Sequence, residues 1–196
     1  MKWGTRVTAV AAATVLGGAG FAGAAGAAGP PVYSKYAVHG TTHIAKPDAG
    51  LDLGPGQFDM YTLIGSYTFY GTITLPPVRI TRPVPGVGKV SGTVTFGPGR
   101  AEGSVSGGFS GSATWPVTLS DVRVNGAAYD VGAGCGTAEP LTTELTSDDF
   151  AAGKGGRLES TYTIGAFENC GSATPLINAF VPGPGNTLTL DLAAAG

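Results

Sequence analysis

Charge is scarce in this chain. Asp, Glu, Lys and Arg make up 12% of its 196 residues, against about 25% in an average domain. The polar surface must therefore come from Thr, Ser and Gly, which fits a β-rich extracellular surface and not a helical protein. The basic residues are scattered, with only Arg79 and Arg82 close together. Nucleic-acid binders carry a basic patch, so nucleic acid is not an expected partner.

Chemistry-bearing residues are equally sparse. His39 and His43 are the only two histidines. Gly40-Thr41-Thr42 between them favours a strand, on which they share a face about 13 Å apart at ~3.3 Å per residue, too far for one ion. Asp48, Asp52 and Asp59 could offer oxygen ligands to calcium, but the loop pattern such a site requires is missing. No metal and no cofactor is expected. The chain has no Gly-x-Ser-x-Gly elbow; the nearest string, Gly108-Phe109-Ser110-Gly111, lacks the spacing. Its glycine-rich strings have no Gly-Lys-Ser/Thr to cradle phosphate. Asp148-Asp149, with Glu139 and Glu144 nearby, would have to flank a groove to act as a glycosidase pair; before Phe150 they read as a polar turn.

Cys135 and Cys170 are the only cysteines. They form no Cys-x-x-Cys, and two thiols alone make a poor metal site. In an exported chain they form a structural disulfide. Closing the segment between them contributes about 3–4 kcal/mol on the chain-entropy argument, whose mechanism is disputed.

Export is the expectation from residues 1–27. Lys2 and Arg6 form a charged start, Val7 to Phe21 is apolar, and Ala22-Gly23-Ala24 and Ala25-Gly26-Ala27 are small-x-small cleavage sites. Cleavage after Ala27 leaves residues 28–196 as one secreted domain with no transmembrane anchor. Without Lys2 and Arg6, 9 basic residues face 13 acidic ones, a formal net charge of −4.

Glycine (34) and proline (14) are plentiful and punctuate short alternating segments. Tyr33–Ile44, Tyr67–Leu75, Lys89–Phe96, Trp115–Leu119, Arg157–Ile164 and Thr187–Leu192 read as strands. Tyr67, Phe69, Ile73 and Leu75 are expected to face inward, as are Trp115, Val117 and Leu119. Val78–Arg82, flanked by prolines, is an edge strand. Arg100–Phe109 is a weak strand or a loop, and Leu141–Thr146 alternates weakly. Asn125-Gly126, between Val122–Val124 and Ala127–Val131, predicts a type I′ hairpin. Gly54-Pro55-Gly56 reads as a type II turn, and Pro182 to Asn186 as another turn. Thr174-Pro175 predicts the N-cap and first residue of one short helix ending at Pro182, with a buried edge strand as the alternative.

Nine or ten strands without a long amphipathic helix predict an all-β fold. The expectation is a single β-sandwich of Ig-like or jelly-roll type, ahead of a barrel, with one short C-terminal helix and one disulfide. The strings TYTIGAFENC (Thr161–Cys170) and TPLINAFVPGPGNTLTLDL (Thr174–Leu192) resemble the C-terminal half of uncharacterised secreted all-β proteins of actinomycetes. Roughly 70 residues share the likeness. It implies export and an all-β domain, and no activity.

One cluster is a candidate for function. Phe58, Tyr61, Tyr67, Phe69 and Tyr70 concentrate aromatics in a short segment. Phe58, Tyr67 and Phe69 are expected in the core and Tyr70 first of all in a cross-strand surface pair; Tyr61 and Tyr70 are in addition candidate binding aromatics, since exposed rings can stack on sugars or anchor a protein. The sequence therefore points to an exported, non-enzymatic binding or structural module at the cell envelope or outside the cell, with cell-wall polysaccharide or an envelope or host protein as partner. A carboxylate-based polysaccharide hydrolase and a ligand-carrying β-barrel are the alternatives.

Overall fold

The structure is a computed structural model that describes residues 29–195; the leader expected over residues 1–27 lies outside the described residues. The chain alternates between two sheets. Strands β1 (Val32–Ile44), β2 (Ala49–Thr62) and β3 (Thr68–Thr74) begin a barrel. β4 (Val78–Val84) and β5 (Gly88–Phe96) leave it for a second sheet, and β6 (Gly99–Ser104) and β7 (Phe109–Trp115) return. β8 (Val117–Val124), β9 (Ala127–Ala128) and β10 (Gly136–Thr137) lie in the second sheet, β11 (Leu141–Ser147) and β12 (Gly155–Ile164) in the barrel, and β13 (Phe167–Glu168) in the second sheet again. A 3₁₀ turn (Gly171–Ala173) and helix α1 (Thr174–Phe180) lead to β14 (Gly183–Ala194), which closes the barrel against β1.

The protein is thus all-β with one short C-terminal helix, but its strands do not form the expected single sandwich. Eight of them close into an antiparallel barrel, in the order β1-β14-β12-β11-β7-β6-β3-β2. The second sheet runs β13-β10-β8-β5-β4, with β9 paired to β8. This order repeats that of the barrel strands β12-β11-β7-β6-β3, each joined to its counterpart by a short link. The second sheet is therefore the barrel wall from β3 to β12 continued past a bend, a half-funnel rising from one mouth. Proline sits in four of the five links: Pro76-Pro77, Pro98, Pro116 and Pro140. Lacking an N–H, it interrupts the ladder where the chain changes sheet.

That physics corrects several expectations. Trp115–Leu119 is not one strand, because Pro116 divides it between barrel and second sheet. Arg100–Phe109 resolves into β6, a turn and the first residue of β7, all in the barrel wall. Gly54-Pro55-Gly56 is no turn. β2 runs through it, and the pairings Val38↔Gly56 and Gly40↔Leu53 place two residues opposite one, a β-bulge. Tyr67, expected inward, is 57% exposed, because it lies in the β2–β3 turn with φ of 57°. β14 already begins at Gly183, and Thr174 is the first helical residue, with Ala173 as the N-cap. The Asn125-Gly126 hairpin forms as expected, both residues having positive φ (51° and 86°), although its second strand spans only Ala127–Ala128. β4 is an edge strand, paired only with β5.

The barrel interior is packed with side chains. At the closed end, Tyr36, Phe58, Phe69, Phe109 and Phe150 form a ring cluster with centroids 4.7–6.5 Å apart. Such pairs contribute about 0.5–1.5 kcal/mol each beyond their area. Val38, Met60, Ile73, Leu145, Leu158 and Leu190 are buried in the same interior, and Trp115 lies toward the mouth. Asn186, 1% exposed, ties the mouth together. It accepts from Ala45 N and donates to the carbonyls of Tyr162 and Gly183.

Candidate functional site

The half-funnel creates an apolar cleft above the barrel mouth. On the inner face of the second sheet stand Ile80 and Val84 of β4, Val90, Val94 and Phe96 of β5, and Leu119, Val122 and Val124 of β8. β8 keeps its apolar residues on this side through a bulge at Asp121 and Val122, opposite Gly92. The floor is the barrel mouth, with Ile44, Ala49, Leu51, Leu141, Tyr162 and Ile164. The third wall is α1, whose Leu176, Ile177 and Phe180, with Val181 at its C-cap, follow helical spacing toward the cleft.

None of the residues of α1 is buried, and Leu176 and Phe180 are each 38% exposed. The helix does not rest on the sheet opposite. Between them lies a cavity of about 230 Å³.

Polar contacts at its flank hold α1 in place. Phe167 N donates to Asn178 Oδ1 at 2.7 Å, and Asn178 Nδ2 donates to Phe167 O at 2.9 Å, so one amide pairs with β13 as a further strand would. Thr174 Oγ1 accepts from Cys170 N and donates to Gly171 O. Cys135 and Cys170 form the expected disulfide, both almost fully buried. It joins the start of β10 to the turn that leads into α1.

Few polar atoms reach the cleft. Tyr162 hydroxyl is hydrogen-bonded to Thr42 Oγ1 at 2.7 Å, and Thr42 Oγ1 donates to Thr187 O at 2.7 Å. Burial pushes the Tyr162 phenol above its ordinary range, partly offset by the Thr42 bond. Tyr129 hydroxyl pairs with Ser172 Oγ at the rim. Among the described residues Arg82 is the one charged side chain lining the cleft.

The aromatics read from the sequence lie elsewhere, on the outer barrel wall. Tyr61 and Tyr70 are cross-strand neighbours on β2 and β3, with ring centroids 5.4 Å apart and planes 12° from parallel. Tyr33 on β1 pairs with Tyr61 at 5.2 Å and completes a row of three exposed tyrosines. Sequence reading missed Tyr33, which belongs to the row only through the β1–β2 register. Nearly parallel rings this close are too near to lie side by side in one plane, so they stack face to face with an offset and turn edges outward. Tyr61 and Tyr70 are thus stacked and Tyr33 is tilted 44° against Tyr61, so the row is not a flat platform. Tyr33 hydroxyl donates to Asp59 at 2.5 Å. That bond chiefly holds the Asp59 carboxyl below its usual range and raises the Tyr33 phenol.

The other flagged residues are dispersed. His39 and His43 are exposed on β1, opposite Asp191 and Thr187, and His43 Nε2 lies 3.5 Å from Asp48. Asp52 and Asp59 are strung along β2. Among the described residues no group of three His, Cys, Asp or Glu side chains is placed to hold a metal ion. Asp149 does not face a groove with Asp148. It accepts from Ser147 Oγ and Arg157 N, which lower its pKa, the serine most. Glu139 and Glu144 are exposed and do not line the cleft. Among the described residues no helix is long and apolar enough to cross a membrane.

No protein-family model, curated protein or solved structure gives a significant match to the chain. The fold itself defines the class: a small closed β-barrel, filled at one end, whose wall extends into a half-funnel over an apolar cleft.

Proposed function

We propose that this is an exported, non-catalytic binding protein that holds a small apolar molecule in the cleft. The observation that carries this reading is that two apolar surfaces, the inner face of the second sheet and the exposed stripe of α1, meet across a space and not each other. A dry apolar cavity of about 150 Å³ accommodates benzene, so the 230 Å³ here takes roughly nine carbon atoms. Burying each methylene gains about 0.8 kcal/mol. The cost of immobilising the ligand offsets much of that gain, so the binding is weak.

Export is supported by the leader-like residues 1–27, by the disulfide, which persists in oxidising compartments, and by the resemblance to secreted actinomycete proteins. The test is thermal unfolding with and without octan-1-ol. The alcohol raises Tm in the natural protein. Val94→Phe, which takes up part of the cleft, raises Tm by itself and reduces the response. An equal response in both proteins would contradict the reading.

The tyrosine row favours a second role that is compatible with the first: attachment of the outer barrel wall to cell-wall polysaccharide or to an envelope or host protein. Replacing Tyr61 and Tyr70 by Ser should abolish co-sedimentation with cell walls while leaving the octanol response unchanged. Retained co-sedimentation would remove this role.

A further inference from the structure

The inward row of β4 reads Val78, Ile80, Arg82, Val84, so an exposed guanidinium interrupts an aliphatic row in a sheet whose other polar side chain at the cleft, among the described residues, is Ser91. Arg82 Nη2 donates to Gly50 O at 3.4 Å, across to the β2 residues that border the floor, and this places the guanidinium at the cleft margin. Among the described residues Arg82 takes part in no ion pair, and no acidic side chain lines the cleft. A guanidinium carries five N–H donors in a planar fork matched to a carboxylate, and one long bond to a carbonyl occupies only one of them. The cleft's other polar side chains are the hydroxyls of Ser91, Tyr129 and Tyr162, and those of Tyr129 and Tyr162 are already paired within the protein.

We infer that the ligand is a medium-chain carboxylate. Its hydrocarbon part, of roughly nine carbons or fewer, lies between the second sheet and α1, and its head group is held by Arg82 at the margin. The inference rests on the cleft being a ligand site and adds the head group to that reading. An alternative use of such a residue is structural, since an inward-pointing charge on an edge strand discourages edge-to-edge pairing with another chain.

Octanoate and octan-1-ol share a tail and separate the two readings. Their affinities are measured by calorimetry at pH 7 for the natural protein and for Arg82→Gln. Octanoate should bind about 5- to 10-fold more tightly than octanol to the natural protein, the advantage expected of a partly exposed charge-assisted pair. In Arg82→Gln the advantage disappears and octanol binding is unchanged, which also shows that the variant is folded. Arg82→Lys, which keeps the charge but loses the fork, retains part of the advantage. Equal affinity of the natural protein for the two molecules would overturn the head-group assignment and leave the apolar cleft standing. Binding of neither, by protein with an intact unfolding transition, would overturn the cleft reading and this inference with it. An octanoate advantage that survives Arg82→Gln, with new self-association in sedimentation, would make Arg82 an edge guard and overturn the assignment.

Discussion

Tyr162 and Thr42 join two barrel strands through one buried hydroxyl pair. Replacing Tyr162 by Phe should cost about 1 kcal/mol, the net worth of a typical buried hydrogen bond, because Thr42 Oγ1 keeps its bond to Thr187 O. The folded protein holds the Tyr162 proton more tightly than the unfolded chain. This contribution is therefore complete below the ordinary phenol pKa of about 10 and is lost as pH rises through the higher folded value. Chemical denaturation between pH 9 and 12 should show a steeper loss of stability in the natural protein than in Tyr162→Phe. Gly99 is a second sensitive position. A methyl group there would come within 2.0 Å of Trp115 Nε1, so the indole packs directly on the glycine backbone. Gly99→Ala should destabilise by about 1–3 kcal/mol through overpacking, measured by urea unfolding. At this scale local rules were readable from the sequence. Asn125-Gly126 formed its turn, and two cysteines left only one pairing. Tyr67 was not readable, because alternation continued into a turn looks no different from alternation in a strand.

Among the elements, α1 depends most on a few contacts. Its apolar side hangs over the cleft, so its position comes from Asn178 on β13 and from the disulfide behind Cys170. Asn178→Ala leaves both the N–H and the carbonyl of Phe167 without a partner and should cost about 1–3 kcal/mol. Amide hydrogen exchange should show the loss concentrated in residues 171–181, with the barrel strands still protected. Reducing the disulfide, or replacing both cysteines by Ser, should lower stability by about 3–4 kcal/mol and loosen the same segment, so ligand binding weakens together with protection of α1. Uniform loss of protection across the barrel would contradict this division. The bends between sheets were partly legible: prolines flanking Val78–Arg82 correctly marked an edge strand. That Pro76-Pro77, Pro98, Pro116 and Pro140 also mark the passage from barrel to half-funnel follows only from the pairing of distant strands.

For the whole molecule, the sequence settled the class of fold and not its closure. Inward and outward residues alternate with the same period in a sandwich and in a barrel, and the pairing that decides between them joins β1 to β14 at opposite ends of the chain, as in Tyr36↔Ala194. The cleft was hidden for a related reason. Ile80, Val94 and Leu119 declare an apolar face, but whether that face meets another surface or a space depends on where the bend directs it. The proposed function stands on this space binding one small apolar molecule. The most direct test is calorimetric titration of the purified protein with octan-1-ol at several temperatures. Saturation at one molecule per chain is expected, with a negative heat-capacity change from apolar burial. Heats that do not saturate, or none beyond dilution from protein whose unfolding remains cooperative, would contradict it.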